Sequence, residues 1–181
     1  MGAMDIEQLR ARVRGTIIQP GDAEYDSARK VYNAMIDKRP ALIVRCVDTA
    51  DVIAAVNYAR ANDTLTAIRG GGHNGAGLST CDDGVVIDLS RMKGIRVDPA
   101  ARTVRIEGGC TAGEMDHATH AFGLATPSGT VSTTGSSRFI ARAIQSGQNI
   151  GTNPAKRSAV TSPPTSRYHR EHGEKSYGSR W

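Results

Sequence analysis

Two rhythms of apolar residues run through residues 5–125. One is the short, mostly β-branched run, seen in Leu42-Ile43-Val44-Arg45-Cys46, in Leu65 to Arg69 and in Val85-Val86-Ile87-Asp88-Leu89. Such runs predict buried strands. The other is the three-and-four spacing of an amphipathic helix. Val52, Ala55, Val56 and Ala59 form one stripe behind a capping Asp48 or Thr49, which predicts a helix running out near Asn62-Asp63. Strand, helix and strand within about 30 residues make a βαβ unit, whose strands lie parallel as neighbours or near neighbours.

Shorter signals fill in the rest. Asp5 to Arg12 predicts a short helix with Ile6 and Leu9 inward. Pro20-Gly21-Asp22 is a turn, and Asp22 caps a predicted helix carrying Tyr25, Ala28, Val31, Tyr32 and Met35 before Pro40. Ile95–Val97 and Thr103–Ile106 predict a hairpin around Asp98-Pro99-Ala100-Ala101. Thr111-x-x-Glu114 is a capping box. The helix it opens would bury Met115, Ala118 and Phe122 and stop at Gly123. Mixed element order with one parallel unit predicts an α+β fold, a small mixed sheet with flanking helices.

Composition divides this picture in two. The chain has 181 residues and a formal net charge of +5, enough for one domain of ordinary size. Residues 1–135 hold 15 Lys+Arg against 16 Asp+Glu, whereas residues 136–181 hold 8 against 2. That last stretch has no Leu and one Val, Val160, so it cannot build a core and disorder is expected there. Three regions follow: an N-terminal segment (1–14), a patterned domain (15–135) and a basic Ser/Arg/Pro-rich tail (136–181). The abrupt change at Ser136 fits a frameshifted and truncated reading frame. The tail's charge also leaves open a non-catalytic fragment that binds an anionic partner such as nucleic acid. Blocks of charge are more often solvated tails, and aromatics make up only 4% of the chain, so nucleic acid is disfavoured. No apolar run approaches about 18 residues, so no membrane partner is expected. Cys46, Cys81 and Cys110 are too few and scattered for a disulfide framework, which favours a reducing, cytoplasmic setting.

The stretch richest in chemistry is Arg69-Gly70-Gly71-Gly72-His73-Asn74-Gly75-Ala76-Gly77. Glycines let backbone N–H groups close on a ligand, and successive N–H groups form an anion nest suited to a diphosphate. Gly70, Gly72 and Gly75 match G-x-G-x-x-G, but Leu78 to Gly84 does not read as the helix that a dinucleotide fingerprint requires. His73 lies inside the nest, where a neutral ring nitrogen is a competent nucleophile.

These residues resemble a known family. Ala41–Cys46, Asp51–Val56, Arg69–Asn74, Gly84–Ser90, Glu107–Thr111 and Gly123–Thr130 look like the FAD-linked oxidases of berberine bridge enzyme type, within the vanillyl-alcohol oxidase/p-cresol methylhydroxylase superfamily. The resemblance covers about residues 15–135 and implies the N-terminal part of a p-cresol methylhydroxylase-type FAD-binding domain. It implies FAD held by Arg69, Gly70, Gly71, Gly72, His73, Asn74 and Gly77, with Pro127, Ser128, Gly129, Thr130, Thr134 and Gly135 along the ring and diphosphate. It further implies a bond from His73 to the flavin 8α-methyl group, and a single one. Val131 stands where doubly linked members carry Cys. The activity implied is oxidation of a small molecule by hydride transfer to FAD, with O2 as acceptor. Substrate-side bases lie in the family beyond Gly135, so no catalytic acid or base is assigned, and an inactive chain is left open.

A metal reading competes with part of this. Cys110, Glu114, His117 and His120 would share a helical face, but the spacing matches no standard zinc pattern and the capping box already uses Glu114. No metal site is expected.

Overall fold

The computed structural model describes residues 3–136, 140–142 and 144–145. Its centre is a four-stranded sheet built from β1 (Thr16–Ile18), β2 (Leu42–Arg45), β3 (Thr66–Arg69) and β4 (Val85–Asp88). The strand order is β1-β2-β4-β3. The strands β2, β4 and β3 run parallel and β1 is antiparallel to β2. The connection from β2 to β3 is α3 (Thr49–Ala61), so the βαβ unit forms with β4 inserted between its strands.

Both faces of this sheet are covered, which is why its strands read as continuous apolar runs rather than alternating ones. Leu42, Val44, Val85 and Ile87 pack on one face with Leu9, Ala54, Ala55 and Ala59. Ile43 and Val86 pack on the other with Ile18, Tyr25, Ala28 and Cys81. Ile43, Val44, Val86 and Ile87 are fully buried, each contributing about 1.5–3 kcal/mol relative to exposure. Leu9 comes from α1 (Ile6–Arg10) and Tyr25 from α2 (Tyr25–Ala28).

A second sheet joins β5 (Ile95–Asp98), β6 (Thr103–Ile106) and β8 (Ile140–Arg142), all antiparallel. Val104 and Met115 form its core under α4 (Ala112–His120). The Thr111/Glu114 capping box is present, and Gly123 follows with φ +65°. β7 (Leu124–Ala125) pairs with β9 (Ile144–Gln145). Apart from Ser136, β8 and β9, the basic tail and its expected disorder lie outside the described residues.

Three expectations need correction. The helix after Asp22 is a single turn, Tyr25–Ala28, and does not reach Met35. Arg29 turns the chain by binding both Asp26 and Asp37, and Tyr32 N donates to Gly72 O instead of to a helical carbonyl. Tyr32 and Met35 are consequently 69% and 90% exposed. Phe122 is 53% exposed, because α4 ends at His120 and its inner face is completed by Thr119. Leu65 also precedes β3 and is exposed.

Candidate functional site

Three parallel strands end together at one edge of the main sheet. Arg45, Asp88 and Arg69 occupy the same register across β2, β4 and β3. Asp88 is 2% exposed and Arg69 6%. Arg69 Nη2 donates to Asp88 Oδ2 at 2.8 Å, and Arg45 Nε lies 3.6 Å from the same oxygen. Ser90 N donates to Asp88 Oδ1. Burial alone would push the Asp88 carboxyl up. The Arg69 guanidinium and the bonds from Ser90 outweigh it and hold the group below the usual carboxylate range.

The glycine loop leaves β3 directly after Arg69, and residues 70–84 reach β4 through turns, with no helix. Asn74 ties the loop to itself: its Oδ1 accepts from Leu78 N and its carbonyl from Gly77 N. Gly72 and Gly77 have φ of +70° and +71°, the region that favours glycine.

A second loop, residues 131–136, meets the first. Its position is set by α4, whose first free N–H groups are used here: Ala112 N donates to Thr134 O and Gly113 N to Ser132 O. Ser136 N donates to Cys110 O and Gly135 bridges Thr111. The two loops touch backbone to backbone. A Cβ added to Gly71 would lie 2.3 Å from Gly135 N, and one added to Gly135 would lie 2.3 Å from Gly71 N. Glycine is thus required on both sides of this contact.

His73 sits where the loops meet. Its Nε2 is 3.1 Å from Thr133 Oγ1, and its ring stacks on Tyr32 at 4.0 Å and 20°. An open cavity of about 510 Å³ lies in front, lined by Arg45, Arg69, Gly70, Gly71, Gly72, His73, Asp88 and Thr133, by Ser27 of α2 and by Lys30 and Tyr32 from the segment after it. Three cations and a glycine backbone around one hollow suit a diphosphate, and the close glycine contact leaves no Cβ to block it.

Of the residues singled out in the sequence, Arg69 to His73 line this cavity, Asn74 and Gly77 shape the loop behind it, and Thr134 and Gly135 brace it from the second loop. Pro127, Ser128, Gly129 and Thr130 do not line it, and a Cβ added to Gly129 would meet nothing within 4 Å. Tyr32, Lys30, Arg45, Asp88 and Thr133 line the cavity without having been singled out. Asp88 and Arg45 were legible in one respect, as polar residues ending two otherwise apolar parallel strands. Cys110 is buried with Sγ 3.5 Å from Gly94 O, Glu114 pairs with Lys93, and His117 and His120 face solvent. Among the described residues no group of three or more His, Cys, Asp and Glu side chains is arranged to hold a metal ion.

Comparison with known proteins settles the family. The FAD binding domain family matches residues 40–144, more than half the chain. This chain belongs to the FAD binding domain family. An FAD-linked oxidoreductase of Dictyostelium discoideum is 40% identical over 131 residues, 72% of this chain and 28% of that protein. The (R)-6-hydroxynicotine oxidase of Paenarthrobacter nicotinovorans is 37% identical over 65% of this chain and 26% of its own length. The crystal structure of 6-hydroxy-D-nicotine oxidase from Arthrobacter nicotinovorans superposes with a TM-score of 0.66 at 36% identity, covering 68% of this chain and 27% of that one. A berberine bridge enzyme-like protein of Physcomitrella patens gives a TM-score of 0.67 at 27% identity, covering 73% and 29%. The chain therefore spans little more than a quarter of these relatives, and what it shares with them is the FAD-binding domain of FAD-linked oxidoreductases. The match runs to residue 144, past the composition break at Ser136. No described helix is long and apolar enough to cross a membrane.

Proposed function

We propose that this chain holds the diphosphate of FAD against the Gly70–Gly72 loop and carries the attachment point of the flavin at His73. The observation that carries the reading is the backbone contact of Gly71 with Gly135, which brings His73, Thr133 and the Arg69/Asp88 pair around one cavity. Asp88 orients Arg69, and the second loop, strapped to α4, fixes the rim. Pro127, Ser128, Gly129 and Thr130 would contribute to the ring side of the same site. When bound, FAD supplies a two-electron acceptor for hydride from a substrate carbon. One imidazole nitrogen of His73 would hold the flavin at its 8α carbon, the ring giving up its proton, with O2 as the oxidant that attachment requires.

The wider activity follows the relatives. The chain serves an oxidoreductase acting on a small molecule, with O2 as the acceptor, and no residue described here is assigned as its acid or base. Region 15–135 forms the bulk of the cofactor domain. Three buried, free cysteines support a reducing, cytoplasmic setting. Titration of the full chain with FAD, followed by flavin fluorescence, tests the reading. Saturable quenching that ADP suppresses when present from the start is expected; no quenching up to millimolar FAD would overturn it.

A further inference from the structure

His73 is clamped rather than loosely displayed. Tyr32 stacks on its ring at 4.0 Å, and Tyr32 is itself anchored because its backbone N donates to Gly72 O at 3.1 Å. Thr133 Oγ1 lies 3.1 Å from Nε2. Among the described residues Nδ1 has no hydrogen-bond partner. A neutral imidazole carries its proton on one nitrogen, and the partner of that nitrogen decides which. A proton on Nδ1 would have no protein acceptor. With the proton on Nε2 the Thr133 oxygen accepts it and both His73 nitrogens stay free of an unmet donor, whereas the reverse arrangement, Thr133 donating to a bare Nε2, leaves the Nδ1 proton to water alone.

We infer that Thr133 and Tyr32 are positioning residues for His73: the Thr133 hydroxyl holds the ring proton on Nε2 and the Tyr32 ring fixes the imidazole plane, leaving Nδ1 as the bare nitrogen. The inference rests on the reading of His73 as the flavin attachment point only for its purpose; the arrangement itself exists without FAD. No local pattern announces it, since Thr133 and Tyr32 are 60 and 41 residues from His73 and on other loops.

The test therefore begins without cofactor. The full chain, labelled with ¹⁵N-histidine, is studied by long-range ¹H–¹⁵N correlation at a pH where imidazoles are neutral, with His73 assigned from the signal lost in His73→Asn. Wild type should show one tautomer, protonated at Nε2. Thr133→Val should spread the proton over both nitrogens, and Thr133→Ser should restore the wild-type pattern. Tyr32→Phe keeps the stack and should match wild type. A His73 signal unchanged by Thr133→Val, or protonated at Nδ1 in wild type, overturns the inference. A second arm measures covalent FAD by fluorescence of the denatured protein band over time. Thr133→Val should load about fivefold to tenfold more slowly, the worth of one ordinary hydrogen bond, and Thr133→Ser at the wild-type rate. Equal loading rates for Val and wild type overturn the inference. If wild type takes up no covalent flavin, the attachment reading fails while the tautomer arm still decides the role of Thr133.

Discussion

Replacing Gly71 by Ala puts the contact between the two loops to a quantitative test. The new Cβ would lie 2.3 Å from Gly135 N, 2.7 Å from Gly135 Cα and 3.1 Å from Thr133 O. All three are backbone atoms, so no rotamer change relieves the overlap. An ordinary contact requires the loops to part by about 1 Å, a gap that forfeits much of the attraction between them. Parting them also stretches the 3.1 Å approach of Thr133 to His73. Overpacking of this kind costs about 1–3 kcal/mol. Because the strain sits at the cavity rim, FAD affinity should fall about 10-fold or more. Gly75→Ala is the matched control: nothing lies within 4 Å of its added Cβ and its φ is not positive. Urea unfolding gives the stability term and FAD titration the binding term. A Gly71→Ala protein that unfolds and binds FAD as wild type does, or a Gly75→Ala protein equally impaired, would mean that the Gly71–Gly135 contact does not hold the cavity rim.

Other outcomes follow from the buried polar groups. Asp88→Ala leaves the Arg69 guanidinium buried beside no carboxylate, and should cost about 3–5 kcal/mol in urea unfolding. The folded-state pKa of Asp88 lies below its unfolded value, so its contribution is full above about pH 4 and lost as pH falls through the folded value. Stability measured down to pH 2 should fall less steeply in Asp88→Asn than in wild type; an identical slope would remove Asp88 from the account. Asp51, on α3, accepts hydrogen bonds from Arg14 N, Gly15 N and Val47 N. Asp51→Ala orphans three backbone donors and should destabilise by about 2–5 kcal/mol, read by thermal or urea unfolding. Burial, reinforced by the Asp51 carboxylate, pushes the Cys46 thiol up to about 12, and burial also raises Cys81 and Cys110. Native protein at pH 8 should react with a thiol reagent far more slowly than unfolded protein, and a fast native cysteine would contradict the burial described.

What the sequence made legible follows a physical line. The apolar runs at Leu42 and Val85 announced themselves because parallel strands covered on both faces need no polar positions. The α3 stripe and the Thr111/Glu114 box are local patterns, complete within one turn or two of helix. The glycine loop was readable because Gly70, Gly71 and Gly72 are consecutive residues without Cβ, a signal complete within three positions. What escaped depends on partners distant in sequence. The three-residue strand β1 is held by its pairing with β2 rather than by length or pattern. The predicted helix through Met35 had the right spacing, but Arg29 and its two carboxylates, together with the Tyr32–Gly72 bond, outweigh about two further turns of helix. Phe122 was placed inward by a periodicity that ceases where α4 does. Thr133 and Tyr32 reach His73 only through loop contacts, for which a single sequence holds no signal.

The most direct test of the account joins cofactor and residue in one readout. Full-length chain is incubated with FAD in air, precipitated with acid, and digested with trypsin, which releases residues 70–91 as one peptide containing His73. Attachment at His73 should give a yellow pellet and an FAD-sized mass increment on that peptide, fragmenting to place it on His73 and absent from His73→Ala. A colourless pellet with intact FAD in the supernatant, or flavin attached to another peptide, would contradict it.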